Sequence, residues 1–479
     1  MSFGILTLSH SEPPTPLGSF IKAVYYNLSC DPSRPAVSSF DKQRAVRKTA
    51  WNIDYSELGA DGMAGKGSNS MQLRYYNERV VLDAVRRFGE TSKAEIARFA
   101  HLTPPAVATI VDALVAGGYL IENGKRFGGK GQPSAMYGLA KDGAYSIGLH
   151  IGRRAMDAIL IDFAGETVAF ETQEYDHPSP ISICEFGDAS VARFRSKLGR
   201  EQQKRLVGIG ISAPYFIGGW DAELGFPSDV QMEWRTFDLK SYFAEGHDLP
   251  VMIENDASAA AVAELVYGLG KQYSDFLHIS LSTFVGGGLV LDGTLQTGPN
   301  GNTAAYGPFP VTHSRLNSVP KPAGKFEVLL HRASIYTLVH HLRTNGFQIT
   351  RVRDLDPMPQ AAQGLVSEWQ DDCADALAQA IIGSIAVVDL EAVVIDGLLP
   401  HPLLEDTVER VRHCFAEMLP PGLIPPVISA GLLGARGSAL GASLLPIYSM
   451  FGPDTGVLMK KGLDKKPLMI GSEYNRRGG

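Results

Sequence analysis

The chain has 479 residues, of which 44% are hydrophobic and 20% charged, and its formal net charge is −7. This length allows two or three domains with hydrophobic cores of their own, and the composition is that of a globular protein. No run reaches the roughly 18 apolar residues of a membrane span, and the first residues show no signal-peptide pattern. We therefore expect a cytoplasmic protein without a membrane partner.

The four cysteines, Cys30, Cys184, Cys373 and Cys414, lie far apart in the chain and form no C-x-x-C pair. This spacing argues against a disulfide framework and against a zinc site built from neighbouring thiolates. We expect free thiols.

Both ends of the chain differ in composition from the middle. Residues 1–69 are rich in Ser, Pro, Gly and Ala with little periodicity, which predicts a disordered or loosely attached extension. Residues 453–479 form a polar, lysine-rich tail.

Helical signals follow in close succession after the extension. Apolar residues at helical spacing from Leu73 to Val85 predict a helix that ends at Gly89. Ser92 and Glu95 have the spacing of a capping box, which predicts the start of a second helix. Thr103 and Pro104 then predict a third helix that ends at residues 117–118.

A basic hairpin completes this segment. Residues 119–122 and 135–139 have strand character, and the loop 123–133 between them is rich in Gly and Lys. Three helices and a hairpin predict a winged helix-turn-helix over residues 70–141. Residues 71–141 contain ten Lys and Arg against six Asp and Glu, and this basic balance on an acidic protein points to a DNA partner.

In a helix-turn-helix, the second helix of the motif places its N-terminal residues in the major groove. These side chains are short here, so they do not indicate which operator sequence is bound. The wing cations suit phosphate contact or entry into the minor groove, and the alternative is a solvated hairpin on a domain that only dimerises. The candidate DNA-binding residues are Ser92, Lys93, Thr103, Pro104, Pro105, Ala106, Thr109, Lys125, Arg126, Lys130 and Gln132.

Beyond residue 146, strands alternate with helices, which predicts an α/β architecture. Ser146–Ile151 and Ala158–Asp162 have the pattern of a hairpin, and a long helix is predicted over 365–388. Further predicted strands are Val207–Ser212, Val251–Glu254, Phe276–Leu281, Leu289–Leu291 and Ala392–Ile395.

The order and spacing of several motifs resemble the ROK family (repressors, open reading frames and kinases), which includes xylose and N-acetylglucosamine repressors and bacterial glucokinases. The resemblance implies an actin-like, two-lobed α/β fold of the sugar-kinase and ribonuclease H-like type over residues 142–452. The motifs are the helix 70–89, Ser92–Ala97, the wing 129–133, Val207–Ser212, Glu254–Ala257, Gly286–Gly293 and Gly324–Glu327.

Two phosphate loops depart from the pattern of the kinases in this family. The first loop reads Asp-x-Gly-Gly-Thr in the kinases and His150-Ile151-Gly152-Arg153-Arg154 here, and the second reads Gly-Thr-Gly in the kinases and Ser282-Thr283-Phe284 here. Phosphates need close approach to glycine backbone, and bulky side chains prevent it. We expect a domain that does not work as a kinase and needs no cofactor.

The sugar-contacting residues of the family pattern are partly kept. The resemblance implies that Asn255, Asp256 and Glu327 contact a sugar, although Asp256 has an alternative role as the N-cap of a helix. Gly286 and Gly287 present backbone to the ligand or form a tight turn. Tyr306 stacks on a pyranose ring or belongs to ordinary packing.

The zinc motif of most relatives is absent. Gly-Glu-x-Gly-His is replaced by Ala304-Ala305-Tyr306-Gly307-Pro308, residues 312–324 contain no cysteine, and Lys325 replaces the last thiolate. We expect no metal here. Because the replaced Glu and His also contact sugar in relatives, the pocket prefers a different sugar, a derivative or no sugar.

These features predict a DNA-binding repressor of carbohydrate-metabolism genes, acting as a homodimer or homotetramer on an operator and responding to a sugar. Ligand binding between the lobes would change the spacing of two DNA readers. The alternatives are a ligand-independent regulator with a vestigial pocket and an active sugar kinase.

Overall fold

The computed structural model describes residues 70–127, 133–215, 217, 225–349 and 352–453. The predicted extension 1–69, nearly all of the predicted tail, and the candidate DNA-binding residues Lys130 and Gln132 lie outside these residues.

Residues 70–127 and 133–139, here called the N-terminal unit, contain three helices and a small sheet. The capping box is confirmed, since the Ser92 hydroxyl accepts from the Glu95 backbone and the Glu95 carboxylate accepts from the Ser92 N–H at 2.8 Å. The sheet has the strand order β1-β3-β2. The elements are α1 (Ser70–Phe88), β1 (Thr91–Ser92), α2 (Lys93–Ala100), α3 (Pro104–Ala116), β2 (Leu120–Arg126) and β3 (Ser134–Leu139).

The hairpin of this unit differs from its predicted form. Lys125 and Arg126 pair with Ala135 and Ser134 within the sheet, so these two cations lie on a strand and not in the predicted loop. The strand continues because the register shifts between Glu122 and Lys125, next to Gly124 with a φ of 99°. An extra residue at a positive φ is the geometry of a bulge, which the sequence pattern alone did not reveal.

The first lobe is built on a five-stranded sheet with the order β6-β5-β4-β7-β8. The predicted hairpin is confirmed as an antiparallel pair, and a further strand extends it, while β7 and β8 run parallel to β4. Its elements are β4 (Tyr145–Ile151), β5 (Ala155–Asp162), β6 (Thr167–Glu174), α4 (Pro180–Lys197), α5 (Arg200–Gln203), β7 (Leu206–Ala213), α6 (Ser228–Thr236), α7 (Leu239–Gly246) and β8 (Val251–Asn255).

The second lobe has a five-stranded sheet with the order β11-β10-β9-β14-β15 and a separate two-stranded pair, β12-β13. The predicted long helix and the strand after it are both present. Its elements are α8 (Asp256–Tyr267), β9 (Phe276–Leu281), β10 (Val285–Leu291), β11 (Thr294–Gln296), β12 (Pro310–Val311), β13 (Glu327–Val328), α9 (Ile335–Thr344), α10 (Gln363–Ile385), β14 (Ala392–Gly397), α11 (His401–Met418) and β15 (Val427–Ala430).

The glycine run of β10 belongs to the sheet, whereas the sequence pattern predicted a strand only from Leu289. Gly286 and Gly287 pair with Ser280 and Ile279 of β9, so they do not form a tight turn. A Cβ atom on Gly288 would lie 2.5 Å from the Ala261 Cβ of α8. Gly286 and Gly288 are therefore needed because α8 packs closely on the strand.

Helix α12 (Gly437–Phe451) returns from the second lobe and packs on the sheet of the first lobe. A Cβ atom on Gly210 of β7 would lie 1.8 Å from the Ala442 carbonyl oxygen, and one on Gly441 would lie 1.8 Å from that of Ala259. Backbone therefore contacts backbone where α12 meets β7 and where it meets α8, which places both helices at the base of the cleft between the lobes.

The N-terminal unit is joined to the first lobe by shared packing. Tyr119, Phe163 and Phe451 form an aromatic cluster with ring centroids 4.7 to 6.0 Å apart. The Arg205 guanidinium donates to the carbonyl oxygens of Gly117 at 3.1 Å and Gly118 at 3.3 Å. A single hydrophobic cluster therefore continues from the helices of the unit to α12.

Within the described residues, no single helix has the length and apolar character to cross a membrane. The pair Lys93–Ala100 and Pro104–Ala116, bent by 115°, passes that test jointly by length and composition.

We expect Gly210→Ala to destabilise the protein strongly, because the added methyl group overlaps the α12 backbone. Overpacking of this kind costs roughly 1–3 kcal/mol or more. Thermal unfolding should give a clearly lower Tm for this variant. Gly246→Ala is the matched control, since its Cβ atom would meet no atom within 4 Å. Equal Tm values for the two variants would contradict this packing.

Candidate functional site

A cavity of about 190 Å³ lies between the two lobes. Its walls come from the β4–β5 turn, the ends of β9 and β14, the start of α8 and the N-terminus of α12. Typical pockets for small molecules have volumes of roughly 300–1,000 Å³, so the cavity is small. Of the six predicted ligand-binding residues, Asp256 lines it.

Asp256 is the first residue of α8, and Asn255 is the N-cap. The Asn255 Oδ1 accepts from the backbone N–H groups of Ala257 at 3.1 Å and Ser258 at 3.4 Å. The alternative role of Asp256 as the cap is therefore wrong, because its neighbour occupies that position. The Asp256 Oδ1 accepts from the Ala257 N–H at 2.9 Å, and the residue faces the cavity from the helix N-terminus.

Glu254 precedes these residues, and sequence reasoning did not single it out. Its Oε1 accepts from the Asn255 N–H at 2.8 Å, and burial raises its pKa to about 7. A carboxyl group that is partly protonated at neutral pH both donates and accepts hydrogen bonds. The available signal was an acidic residue at the end of an apolar strand.

Tyr306 lies in the core of the second lobe, where it is 5% exposed. Its ring stacks on Phe309 with centroids 5.7 Å apart, and its hydroxyl is hydrogen-bonded to Ser384. A Cβ atom on Gly287 would lie 2.8 Å from the Tyr306 ring, so the ring covers this glycine. The contacts of Tyr306 are those of a packed core residue, and it does not line the cavity.

Glu327 on β13 is 2% exposed and lies outside the cavity wall. Its Oε1 accepts from the Val328 N–H at 2.9 Å and contacts the His331 Nδ1 at 2.7 Å. Its Oε2 has no hydrogen-bond partner among the described residues. A buried carboxylate oxygen without a hydrogen-bond partner is costly, and the cavity does not reach it.

The first phosphate loop forms the turn between β4 and β5, and its two arginines point at aromatic rings. The Arg153 guanidinium lies 4.5 Å from the ring centroid of Phe284, and that of Arg154 lies 5.2 Å from the ring centroid of Phe226. Both arginines line the cavity. Cation–π contacts therefore occupy the loop, in addition to any ion pairs.

Two buried polar residues on the second-lobe side of the cavity were also missed. Burial lowers the pKa of His278, against the opposing effect of Asp396, and thus favours the neutral imidazole. The Asp396 Oδ2 accepts from the backbone N–H groups of Leu433 at 3.1 Å and Gly434 at 2.9 Å. Polar residues inside apolar strand runs were the signal that could have found them.

The segment that lacks the zinc motif is held by a buried ion-pair network, here called the Arg332 clasp. Arg332 is 0% exposed, and its guanidinium bonds Asp372 at 2.8 Å and Asp375 at 2.9 Å. It also donates to the Thr312 carbonyl oxygen at 3.1 Å. Asp372 in turn accepts from the Ser314 hydroxyl at 2.8 Å. The clasp therefore ties residues 312–314 to α10.

The predicted DNA-binding residues fall into two groups. Thr103, Pro104, Pro105 and Thr109 are exposed at the start of α3 and Ala106 is half-buried, while Lys125 is exposed on β2. Three others take part in contacts within the N-terminal unit: Ser92 is the buried cap of α2, Lys93 pairs with Asp112 at 2.6 Å, and Arg126 pairs with Glu95 at 2.9 Å.

Two sheets that flank a cleft, with α8 and α12 packed at its base, define a two-lobed, actin-like domain of the sugar-kinase type. The ROK family profile matches residues 146–447. The chain belongs to the ROK family.

Its relatives include regulators and enzymes. An uncharacterized protein of Sinorhizobium fredii is 29% identical over 383 residues, which cover 78% of this chain and 91% of that protein. The xylose repressor of Bacillus subtilis is 27% identical over 235 residues, 49% of this chain and 60% of the repressor. A glucokinase of Halalkalibacterium halodurans is 33% identical over 165 residues, 34% of this chain and 48% of the enzyme.

Among solved structures, a ROK family transcriptional regulator that is a homologue of the E. coli MLC protein superposes with a TM-score of 0.59. The identity is 18%, and the match covers 81% of this chain and 99% of that one. This likeness supports the fold.

We expect Arg332→Met to destabilise the second lobe, because it leaves Asp372 and Asp375 without their buried counter-ion. Breaking a buried ion pair costs roughly 3–5 kcal/mol. Arg315→Met is the matched control, since Arg315 is 78% exposed and pairs with the same Asp375 at 3.3 Å. Exposed pairs contribute about 0–1 kcal/mol. If chemical denaturation gave both variants the same midpoint, the clasp would not stabilise the lobe.

Proposed function

We propose that this protein is a DNA-binding transcriptional regulator, a repressor of carbohydrate-metabolism genes, whose ROK domain binds a sugar or sugar derivative without phosphorylating it. The observation that carries the proposal is the hydrophobic core that the N-terminal unit shares with the first lobe. Tyr119, Phe163 and Phe451 place three helices and a basic hairpin in one continuous core with a sugar-kinase-like domain.

The N-terminal unit fits a winged helix-turn-helix that reads DNA. Its helices α2 and α3 meet at 115°, within the range of about 90–120° for a helix-turn-helix. The exposed start of α3, including Thr103 and Thr109, is the part that would enter the major groove. Lys125 on the wing is suited to a phosphate.

Ion pairs within the N-terminal unit affect the proposed DNA interface. Lys93 and Arg126 are each held by a carboxylate, so their charges are partly neutralised before DNA arrives. Exposed pairs of this kind are weak and exchange readily for phosphate contacts. We infer that the wing supplies most of the positive field and that α3 supplies shape and methyl contacts.

The cleft supports ligand binding more than phosphoryl transfer. Asp256 faces the cavity with its carboxylate, which accepts hydrogen bonds from sugar hydroxyls. The phosphate loops, in contrast, carry Arg153 and Phe284 where a kinase needs glycine backbone for ATP.

The likeness to glucokinases makes an active sugar kinase the second candidate, and Asp256 would be its base. We place the kinase below the regulator because bulky side chains, Arg153 and Phe284, occupy both phosphate loops.

A dimer or tetramer of the regulator would bind a two-fold operator, since protein symmetry is mirrored in the half-sites.

Ligand binding is tested by thermal shift with monosaccharides, amino sugars, sugar phosphates and ATP with magnesium. A ligand at 100 times its Kd stabilises the folded state by about 2.7 kcal/mol, which raises the Tm. We expect a shift with one sugar class and none with ATP, and Asp256→Asn should abolish it. Asp389→Asn, at an exposed position outside the cavity, is the control. A shift with ATP would overturn the non-catalytic assignment, and no shift at all would favour a vestigial pocket.

DNA binding is tested by fluorescence anisotropy with a labelled duplex over a range of salt concentrations. Removal of one phosphate-contacting cation should lower the slope of log K against log salt by about 1. We expect this change for Lys125→Ala and not for Lys197→Ala, an exposed lysine at the end of α4. Failure of the unmodified protein to bind duplex at low salt would contradict the proposal.

A further inference from the structure

The contact between Arg153 and Phe284 joins the two lobes across the cleft. Arg153 lies in the β4–β5 turn of the first lobe, and Phe284 lies in the β9–β10 turn of the second. The guanidinium carbon is 4.5 Å from the ring centroid, close to the face of the ring. The ring of Phe284 is buried and packs edge-on against Tyr336 of α9, with centroids 5.7 Å apart.

The two residues that make this contact are both departures from the kinase pattern. Each replaces a glycine of a different phosphate loop, and the loops are separated by about 130 positions in the chain. If the two glycines had been replaced independently, the two new side chains would have no reason to contact each other. Arg153 and Phe284 do contact each other, so one interaction accounts for both substitutions.

The charge of Arg153 has a second neighbour in the same cavity. Burial lowers the pKa of the guanidinium to about 10, and the carboxylate of Asp256 opposes that effect. Both side chains line the cavity. A half-buried cation is stabilised by the face of an aromatic ring and by a negative charge in the same cavity.

Arg154 provides an internal comparison. It lines the same cavity, and its guanidinium lies 5.2 Å from the ring centroid of Phe226. Phe226 immediately precedes α6, whose Trp234 packs against the core of the first lobe. The ring that Arg154 contacts therefore belongs to its own lobe, whereas that of Arg153 belongs to the opposite one.

We propose that Arg153 is a latch that holds the cleft closed from within, by stacking on Phe284 of the opposite lobe across the cavity that Asp256 also lines. A ligand that engages Asp256 enters the same cavity and displaces the Arg153 side chain from it. Ligand binding thus weakens the latch and releases the second lobe from the first. The role of the ligand rests on the proposed function, while the latch is a property of the protein alone.

The lobes stay joined when the latch is removed. Helices α8 and α12 remain in contact at the base of the cleft through Gly441 and Ala259, and the Tyr215 hydroxyl donates to the Asn300 carbonyl oxygen at 3.3 Å. Variants of the latch should therefore fold, and their effect should appear as local opening.

The test is amide hydrogen exchange of the ligand-free, full-length protein. Phe284→Leu keeps an apolar side chain of similar size without the aromatic face, and Arg153→Gln removes the charge. We expect each variant to raise the exchange of both turns, residues 152–154 and 282–284, by about tenfold, because the opening of either turn releases the other. Arg154→Gln, the matched control, should leave the turn at 282–284 unchanged.

The double variant distinguishes one contact shared between the lobes from two separate local effects. Because both single variants break the same contact, Arg153→Gln combined with Phe284→Leu should open the turns no further than either change alone. Additive effects, or effects confined to the turn that carries the change, would overturn the proposal.

Sugar binding is a separate arm of the experiment. A sugar that stabilises the unmodified protein should bind Arg153→Gln more tightly, since the Arg153 guanidinium no longer has to be displaced from the cavity. If no sugar binds the unmodified protein or any variant, the ligand-binding part of the proposed function is wrong. Hydrogen exchange of the ligand-free protein then still tests whether Arg153 and Phe284 form a latch.

Discussion

Helix α12 contacts β7 and α8 at points where one of the two partners is a glycine with no room for a side chain. Gly210 and Gly441 bring backbone against backbone there, with 1.8 Å between an ideal Cβ position and the facing carbonyl oxygen. Its N-terminal residues line the cavity, where the Ser438 hydroxyl donates to the Asp256 carbonyl oxygen at 3.0 Å. Its last residue, Phe451, packs on Tyr119 of the N-terminal unit. About 22 Å of one helix therefore joins the cleft to the proposed DNA reader.

The same constraint on buried charge shapes the two places where this chain departs from its family's pattern. Where the zinc motif is replaced, Arg332 and Asp372 form a buried ion pair with further hydrogen bonds to the loop. In the turn between β4 and β5, Arg153 lies against Phe284. In both places a guanidinium, which is planar and has several donors, stabilises the segment. The two-lobed fold is kept with both replacements.

Local signals in the sequence predicted local structure well. The capping box of Ser92 and Glu95, the start of α3 at Pro104 and most strands of the two sheets follow from spacing and propensity. Contacts between distant segments left no such signal. Arg332 and Asp372 are 40 positions apart, and nothing in either neighbourhood indicates their pairing. For the same reason Gly286 and Gly287 suggested a turn, because the residues that leave them no room, Ala257 and Tyr306, are distant in the chain.

A pocket that only binds a sugar does not make a sensor. A ligand shifts a conformational equilibrium only by the difference between its affinities for the two states. A rigid cleft with Asp256 freely available would bind sugar equally well in every lobe arrangement and would transmit nothing. A cleft in which Arg153 lines the ligand cavity and stacks on the opposite lobe supplies that difference, since the arrangement that binds ligand well is the one in which the latch is open. The side chains Arg153 and Phe284 therefore provide the two states that the proposed regulation requires, and α12 connects the cleft to the N-terminal unit, so a change in lobe angle would reach that unit.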